Sequence, residues 1–388
     1  VSAAPMAILG GVLLTVLISV FVLTLSCALG WLVAKVSRKL KRKNFITVII
    51  SLAGIAVYYF FVFKAQTALE ALVANAALYG EKIKGAAYPL YLVGCVGMGD
   101  GRAMLLVTLI VAALFALMWA LLAHSFLKLS TATGASGRAV YRERTLKRQS
   151  ADAALFKKEL ARFTASPNYM LNCGLGILLL PVAGVALVIK GGELLPLLQM
   201  AFGNRGGCVE VLLCTGVCTI AAMNDMATPS VSLEGKNLWL AQSLPVTPWQ
   251  VLRAKLDMQL LLTGVPLLFC ALCAVIVLPG GAAEMALAVI AALLYTLLSA
   301  LAALALGLKM PNLTWTNEIT PIKQGGSVML ALFANWFYAI ALGGLYFLCG
   351  RALGAAAYLA IFAAVTAVVC ALLLRWLKRR GTRIFAAL

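Results

Sequence analysis

The sequence predicts an all-α polytopic membrane protein with about nine membrane-crossing helices. Three observations lead there. The 388 residues are 63% apolar and only 12% charged, with a mean hydropathy of +1.00, whereas soluble domains are about 45–50% apolar and about a quarter charged. The apolar residues fall in runs of about 20, the length that crosses a hydrocarbon core of about 30 Å. Lysine and arginine concentrate in alternate loops between those runs. The cores of two or three soluble domains could not hide such an apolar excess. A soluble enzyme, a disordered chain and a secreted disulfide scaffold are therefore excluded.

Nine runs meet the length criterion: Met6–Ala34, Phe45–Phe63, Ala103–Ala123, Leu171–Ile189, Gly207–Met223, Leu256–Leu278, Ala282–Leu308, Ser327–Cys349 and Ala352–Leu374. Backbone polar groups cannot stay unpaired in hydrocarbon, so each run is expected to be a helix. The first and seventh exceed the minimum and are expected to tilt or to extend into the interface. The ten cysteines lie mostly within or at the ends of the runs. Cys270 and Cys273, three apart on an apolar helix, read as small packing residues rather than a redox or zinc pair.

Basic residues set the sides. If every run crosses once, the loops after the first, third, fifth, seventh and ninth runs share a side. They hold 25 of the 32 Lys and Arg, against seven opposite, while the 13 acidic residues divide seven to six. The sorting places the C-terminus inside and Val1 outside. An outside start with no cleavable leader predicts further spans ahead of Val1. The net charge of +19 is thus an orientation signal with some attraction to anionic lipid. No nucleic-acid partner is expected, because the aromatic–basic interleaving that single strands need is missing.

The inside segment His124–Asn168 divides the chain into three runs before it and six after it. The first three match the last three of a six-span unit in topology only, without residue-level identity. Between the second and third runs lies an outside segment, residues 64–102. It is too apolar for a solvated loop and, with Pro89 and several glycines, too interrupted for a span. It is expected to dip into the outer leaflet or to cap the bundle.

Catalytic constellations are missing. His124 is the only histidine and reads as interfacial; a Ser-His-Asp triad or a multi-histidine metal site lacks partners. No GxxxxGK[ST] loop exists to cradle phosphates. No catalytic residue, metal site or cofactor is assigned to this chain. Glu210, Asp257 and Glu284 sit at run ends and no charge sits mid-run, which argues against an ion-coupled carrier. Asn335 and Tyr338 in the eighth run could line a path, with interhelical hydrogen bonding as the blander role.

Two inside segments are more specific. In Ala154–Tyr169, Phe156, Leu160 and Phe163 stand at i, i+4 and i+7, with Lys157, Lys158 and Arg162 towards the polar side. Ser166-Pro167 ends this helix before the fourth run. The pattern describes an amphipathic helix in the inner headgroup layer that turns into a span. In Ser232–Lys255, Leu233, Trp239, Leu240 and Leu244 give a short helix an apolar surface, and Pro245 stops it. Thr247 with Pro248 opens a second helix that runs into the sixth span. A short rigid helix at the inner tips of two spans suits the passage of force between a soluble partner and the bundle.

These residues resemble type-2 ATP-binding-cassette (ABC) exporter permeases. An inside Glu234, then Leu244-Pro245-Val246, then Lys255 opening the next span is similar to the first cytoplasmic loop of that class. Phe156-Lys-Lys-Glu159-Leu leading to Ser166-Pro167 looks like its elbow helix, and Lys378-Arg-Arg-Gly381-Thr-Arg383-Ile-Phe385 looks like its C-terminal segment. The whole chain is similar to large fused ABC exporter permeases of Gram-positive bacteria, with Ser232-Leu-Glu-Gly-Lys-Asn-Leu-Trp239 and Pro311-Asn-Leu-Thr-Trp315-Thr-Asn-Glu318 as further matches. The likeness is good over Leu155–Leu388 and looser before.

The resemblance implies a complete six-helix permease module preceded by the last three helices of an equivalent one. Residues 1–123 would be those three helices, with 64–102 as the re-entrant outer segment. Residues 124–168 would be the cytoplasmic linker and elbow helix (Phe156, Lys157, Lys158, Glu159, Leu160, Arg162, Phe163), and 169–388 the second module with its coupling loop at 224–255. The implied partners are ABC ATPase subunits on the cytoplasmic face, carrying ATP and Mg, the lipid bilayer, and a further permease chain as a candidate. Glu234, Gly235, Lys236, Asn237, Trp239, Leu244 and Pro245 would be the ATPase contacts, and the location a bacterial plasma membrane. Two other classes are weighed. One is a membrane-embedded lipid-modifying enzyme, disfavoured by the shortage of His and paired acids. The other is a sensory or scaffolding membrane protein that binds an ATPase without moving solute.

Overall fold

A computed structural model describes residues 5–37, 43–74, 88–130, 149–202, 207–277, 281–350 and 353–388. Fifteen α-helices and no strand occur among the described residues, so the all-α polytopic class holds. Eight helical stretches are long and apolar enough to cross a membrane: Pro5–Val33, Ile46–Gln66, Gly101–Ser125, Leu175–Met200, Pro248–Val277, Ala282–Lys309, Gly326–Leu348 and Ala355–Ala387. Each overlaps one of the predicted runs. The chain divides into two compact units, Val1–Thr145 and Leu146–Leu388.

The first unit contains α1 (Pro5–Ser37), α2 (Lys43–Ala74), α3 (Tyr88–Gly97) and α4 (Gly101–Ser130). α3 has ten residues, about 15 Å at 1.5 Å per residue, too short to cross. Leu92 and Val96 of α3 are buried with Leu17 of α1 and Ala103, Met104, Val107 and Val111 of α4. Further along, Trp31 Nε1 donates to Ser125 Oγ at 2.9 Å. Within the predicted outer segment, residues 64–74 continue α2, α3 packs on the bundle, and residues 75–87 lie outside the described residues.

The second unit runs α5 (Ala151–Ala165), α6 (Pro167–Cys173), α7 (Leu175–Phe202), α8 (Cys208–Ala221), α9 (Ala227–Ser232), α10 (Leu238–Ser243), α11 (Pro248–Val277), α12 (Ala282–Lys309), α13 (Gly326–Leu345), α14 (Ala355–Trp376) and α15 (Thr382–Ala387). Local chemistry sets the boundaries. Ser150 caps α5 by accepting from the Ala153 N–H. Ser166 then closes α5 and caps α6 by accepting from Tyr169 N–H, with Pro167 in the first turn. α12 lies at the centre, its Tyr295, Ala300, Leu301 and Leu304 almost wholly buried. Cys270 and Cys273 of α11 pack against α7, where a Cβ on Gly184 would lie 3.1 Å from Cys270 Cα and 3.3 Å from Cys273 Sγ. They are free thiols in the small-residue role expected.

The fifth run departs from expectation. Gly207–Met223 is not one crossing helix: α8 has 14 residues, about 21 Å. The chain turns at Ala222–Met226 and restarts as α9, all of whose residues are buried. The reason is local. Asp225 Oδ1 accepts from both the N–H (3.3 Å) and the Oγ1 (2.6 Å) of Thr228. Asp225 N–H donates out of the helix to Cys173 carbonyl at 3.1 Å. Asn and Asp compete in this way with the helical ladder.

Candidate functional site

Four elements meet at one end of the second unit: α5, the segment through α9 and α10, the start of α11, and α15. Basic side chains mark this end. Lys309 stacks over Trp376 at 5.2 Å and Lys378 over Trp249 at 5.4 Å. The capping expected for α11 is present as a reciprocal box: Gln250 N–H donates to Thr247 Oγ1 at 3.3 Å, and Thr247 N–H to Gln250 Oε1 at 2.9 Å. Gln250 Nε2 also donates to Asp152 Oδ1 of α5 at 3.0 Å.

At the centre lies Lys255, with 0% of its surface exposed. All three of its N–H donors are matched: Glu234 Oε1 at 2.9 Å, Glu159 Oε1 at 3.0 Å and Ser230 carbonyl at 3.0 Å. Glu234 further accepts from Lys158 Nζ at 2.9 Å and Arg162 Nη2 at 2.6 Å. Glu159 lies 3.5 Å from Arg162 and 3.7 Å from Lys158. Three cations thus share two buried carboxylates, through charge-assisted bonds that are stronger than neutral ones. Burial by itself would push the Glu234 carboxyl up. Lys255, Arg162 and Lys158 together outweigh that and hold it well below the ordinary carboxylate range. The cluster ties α5, the α9–α10 connection and α11 into one body.

This arrangement corrects the reading of α5. Its most buried positions are Leu155, Glu159 and Phe163, one residue off the predicted stripe for two of the three. Phe156 and Leu160 are half-buried and Lys157 is exposed. Lys158 and Arg162, expected on the polar side, turn inward because Glu234 offers them a partner.

The predicted contact residues divide into two groups. Glu234 and Gly235 face inward; Gly235 takes φ +54°, a conformation glycine adopts without steric cost. Trp315 packs against Gly235 and donates its Nε1–H to Ser232 carbonyl at 2.6 Å, while Asn312 N–H donates to Ser232 Oγ at 3.0 Å. Lys236, Asn237 and Pro245 are exposed, as are Trp239 (60%), Leu240 (49%) and Leu244 (43%). α10 is fixed from beneath by buried Leu238 and Ala241 and from the side by Gln242 Nε2, which donates to Phe385 carbonyl at 2.8 Å. Apolar side chains project from a helix that is held rigidly on its other face.

Asn335 and Tyr338 lie elsewhere, in the bundle interior. Tyr295 hydroxyl donates to Asn335 carbonyl at 2.9 Å, and Tyr338 hydroxyl pairs with Thr366 Oγ1 at 3.0 Å. Tyr338 thus joins α13 to α14, whereas the Asn335 bond uses its backbone carbonyl and its side-chain Nδ2 is buried without a partner. His124 is exposed near the end of α4. Among the described residues no group of three or more His, Cys, Asp or Glu is placed to hold a metal.

Sequence reasoning missed the joint between α8 and α9, where Asn224, Asp225 and Gln259 are all buried. Asp225 lies two residues past the fifth run, and the Asn-Asp pair is a turn signal that could have marked the break. No curated protein and no solved structure matches the chain. A family model described as "Membrane protein of 12 TMs" matches residues 1–377, and the chain belongs to that family of twelve-span membrane proteins.

Proposed function

We propose that the chain is the membrane-spanning permease subunit of an ABC exporter in a bacterial plasma membrane. In this reading separate ATPase subunits bind and hydrolyse ATP with Mg, and this chain carries no catalytic residue. The observation that carries it is α10: Trp239 and Leu240 on the helix and Leu244 at its C-cap stand exposed, while its opposite side packs with α5 and α11 through Leu238 and Ala241 and is tied to α15 through Gln242. Lys236, Asn237 and Pro245 flank that surface. A partner gripping α10 moves α5 and α11 as well, because Glu234 and Lys255 bind them together. Rigid-body displacement of packed elements is one established way to switch access across a bundle. Glu234 and Gly235 act as positioning residues in this scheme rather than as contacts. The family's twelve spans suit two six-span halves in one polypeptide.

The test begins with purification of the full chain from its native membrane and identification of a P-loop ATPase that co-purifies with it, followed by vesicle reconstitution. The triple variant Trp239→Ala/Leu240→Ala/Leu244→Ala should stay folded and lose the ATPase. Undiminished ATPase recovery with that variant refutes the docking assignment. An intact complex that moves no solute on ATP addition refutes export and favours a scaffold.

A further inference from the structure

At the joint between α8 and α9, three polar atoms are sealed from solvent without a hydrogen-bond partner, Oδ1 and Nδ2 of Asn224 and Oδ2 of Asp225, and Oγ1 of Thr263 on α11 is likewise sealed and unpartnered. Their residues are 0%, 3% and 2% exposed. Nearby groups are already committed. Asp225 Oδ1 is held by Thr228. Tyr169 hydroxyl donates to Met226 carbonyl at 2.6 Å and Cys173 Sγ to Ile322 carbonyl at 3.8 Å. Gln259 clamps the joint to α11: its Nε2 donates to Asn224 carbonyl at 3.1 Å and its Oε1 accepts from Ala227 N–H at 2.7 Å. Thr263 stands one turn further along the same face of α11. On the α7 side, Gly176 allows a close approach: Asn224 Oδ1 and Ile220 carbonyl each lie 2.7 Å from where its Cβ would be.

A buried carboxylate is tolerated when something positive accompanies it. Among the described residues no lysine or arginine pairs with Asp225. A proton on Oδ2 would neutralise the charge but leave the Thr263 hydroxyl and the Asn224 amide unpaired. A divalent ion normally takes more than one carboxylate, and here there is one. The α8 C-terminus, the negative end of its dipole, also faces the break. Interrupted helices in membrane bundles offer cations this combination of freed carbonyls and a side-chain oxygen.

We propose that the α8–α9 joint binds one alkali cation, with Asp225 supplying the charge and the side-chain oxygens of Asn224 and Thr263 completing the site. The Asn224 Nδ2 donor then serves a water of the ion's shell. An occupied joint fixes the angle between α8 and α9, and so the position of Ser232 and Glu234 beyond it. The site does not depend on the ATPase reading.

The experiment uses the full chain in lipid nanodiscs with 22Na+ as the probe. Bound ion per chain is counted, and melting is followed in NaCl, KCl and N-methyl-glucamine chloride of equal ionic strength. One saturable ion per chain, stabilisation by an alkali chloride over the organic salt, and loss of both in Asp225→Asn are expected. Thr263→Val keeps the shape and should raise the half-saturating concentration about fivefold, the effect of losing one ordinary polar contact. Should Asp225→Asn fail to fold, Thr263→Val alone decides. The proposal is overturned by melting that is equal in all three salts, by melting that follows pH alone, or by an unchanged half-saturating concentration in Thr263→Val.

Discussion

Replacing Glu234 with glutamine removes one charge and leaves the shape, so it isolates the electrostatic part of the buried cluster. The native cluster holds three cations and two carboxylates. The variant holds three and one. Lys255, fully buried, keeps Glu159 and Ser230 carbonyl, so it is not wholly abandoned. Lys158 is 37% exposed and Arg162 23%, so water recovers part of their loss. Breaking a buried pair on one side costs about 3–5 kcal/mol, and these two mitigations place Glu234→Gln near the lower figure, about 3 kcal/mol. For a unit of this size that lowers the melting temperature by roughly 6–12 °C. Differential scanning fluorimetry in detergent measures it. Lys255→Met destabilises for the mirror reason, leaving two carboxylates to two partly exposed cations. The double variant should lose less than the two singles together, by about 1–3 kcal/mol. A Glu234→Gln melting temperature within 2 °C of wild type (about 0.5–1 kcal/mol), or strict additivity in the double variant, would show that the cluster carries little energy and that α5 is tied to α11 by other contacts.

Further expectations follow from the same geometry. Because the folded Glu234 carboxyl titrates below its unfolded value, its contribution is fully present above about pH 4.5. It drains only as pH falls from there towards the depressed folded value, so wild type and Glu234→Gln should stay a constant distance apart above about pH 4.5 and draw together progressively below it. Trp315→Phe removes the indole donor from Ser232 carbonyl and should cost about 0.5–1.5 kcal/mol, read as a shift in the detergent melting curve. Tyr295→Phe deletes the bond to Asn335 carbonyl between α12 and α13, and a loss of about 1 kcal/mol is expected. Both variants should leave ATPase association unchanged if docking is confined to α10.

Much of the architecture was legible because membrane burial imposes a one-dimensional rule: length and apolarity suffice to find a span. Eight of nine runs appear as crossing helices on that basis. The fifth failed because its helix stops for a local hydrogen-bond reason at Asn224-Asp225, just past the run, and the apolarity of the run does not register residues beyond its end. The α11 capping box was half visible, since Thr247 and Pro248 are chain neighbours, and the reciprocal Gln250 completes it. The ion cluster was not visible at all. Glu234 meets Lys158 and Arg162 across 76 and 72 residues, and Lys255 meets Glu159 across 96. Periodicity can place Lys158 on a helix face, but it cannot reveal that a carboxylate waits there. Trp315 against Ser232, 83 residues apart, was hidden for the same reason, although both stretches had been singled out.

The cluster also changes the meaning of the basic excess. Of the 25 lysines and arginines in the loops assigned inside, Lys158, Arg162 and Lys255 are consumed by Glu159 and Glu234 and present little charge to a membrane surface. Removing these three leaves 22 against the seven in the other loops, so the bias between the two sets of loops persists. Lys309 and Lys378, stacked on Trp376 and Trp249, add an interfacial signature at the same end, where aromatic and basic side chains anchor spans together. Orientation and mechanical connection therefore draw on different members of one charge population. The lysines and arginines outside the cluster carry the loop bias on which the expected orientation rests. Lys158, Arg162 and Lys255 tie α5 and α11 to the segment leading into α10 through Glu159 and Glu234. A substitution that inverts topology and one that uncouples α10 should consequently fall on separate residues, with Glu234→Gln changing the second while leaving the first intact.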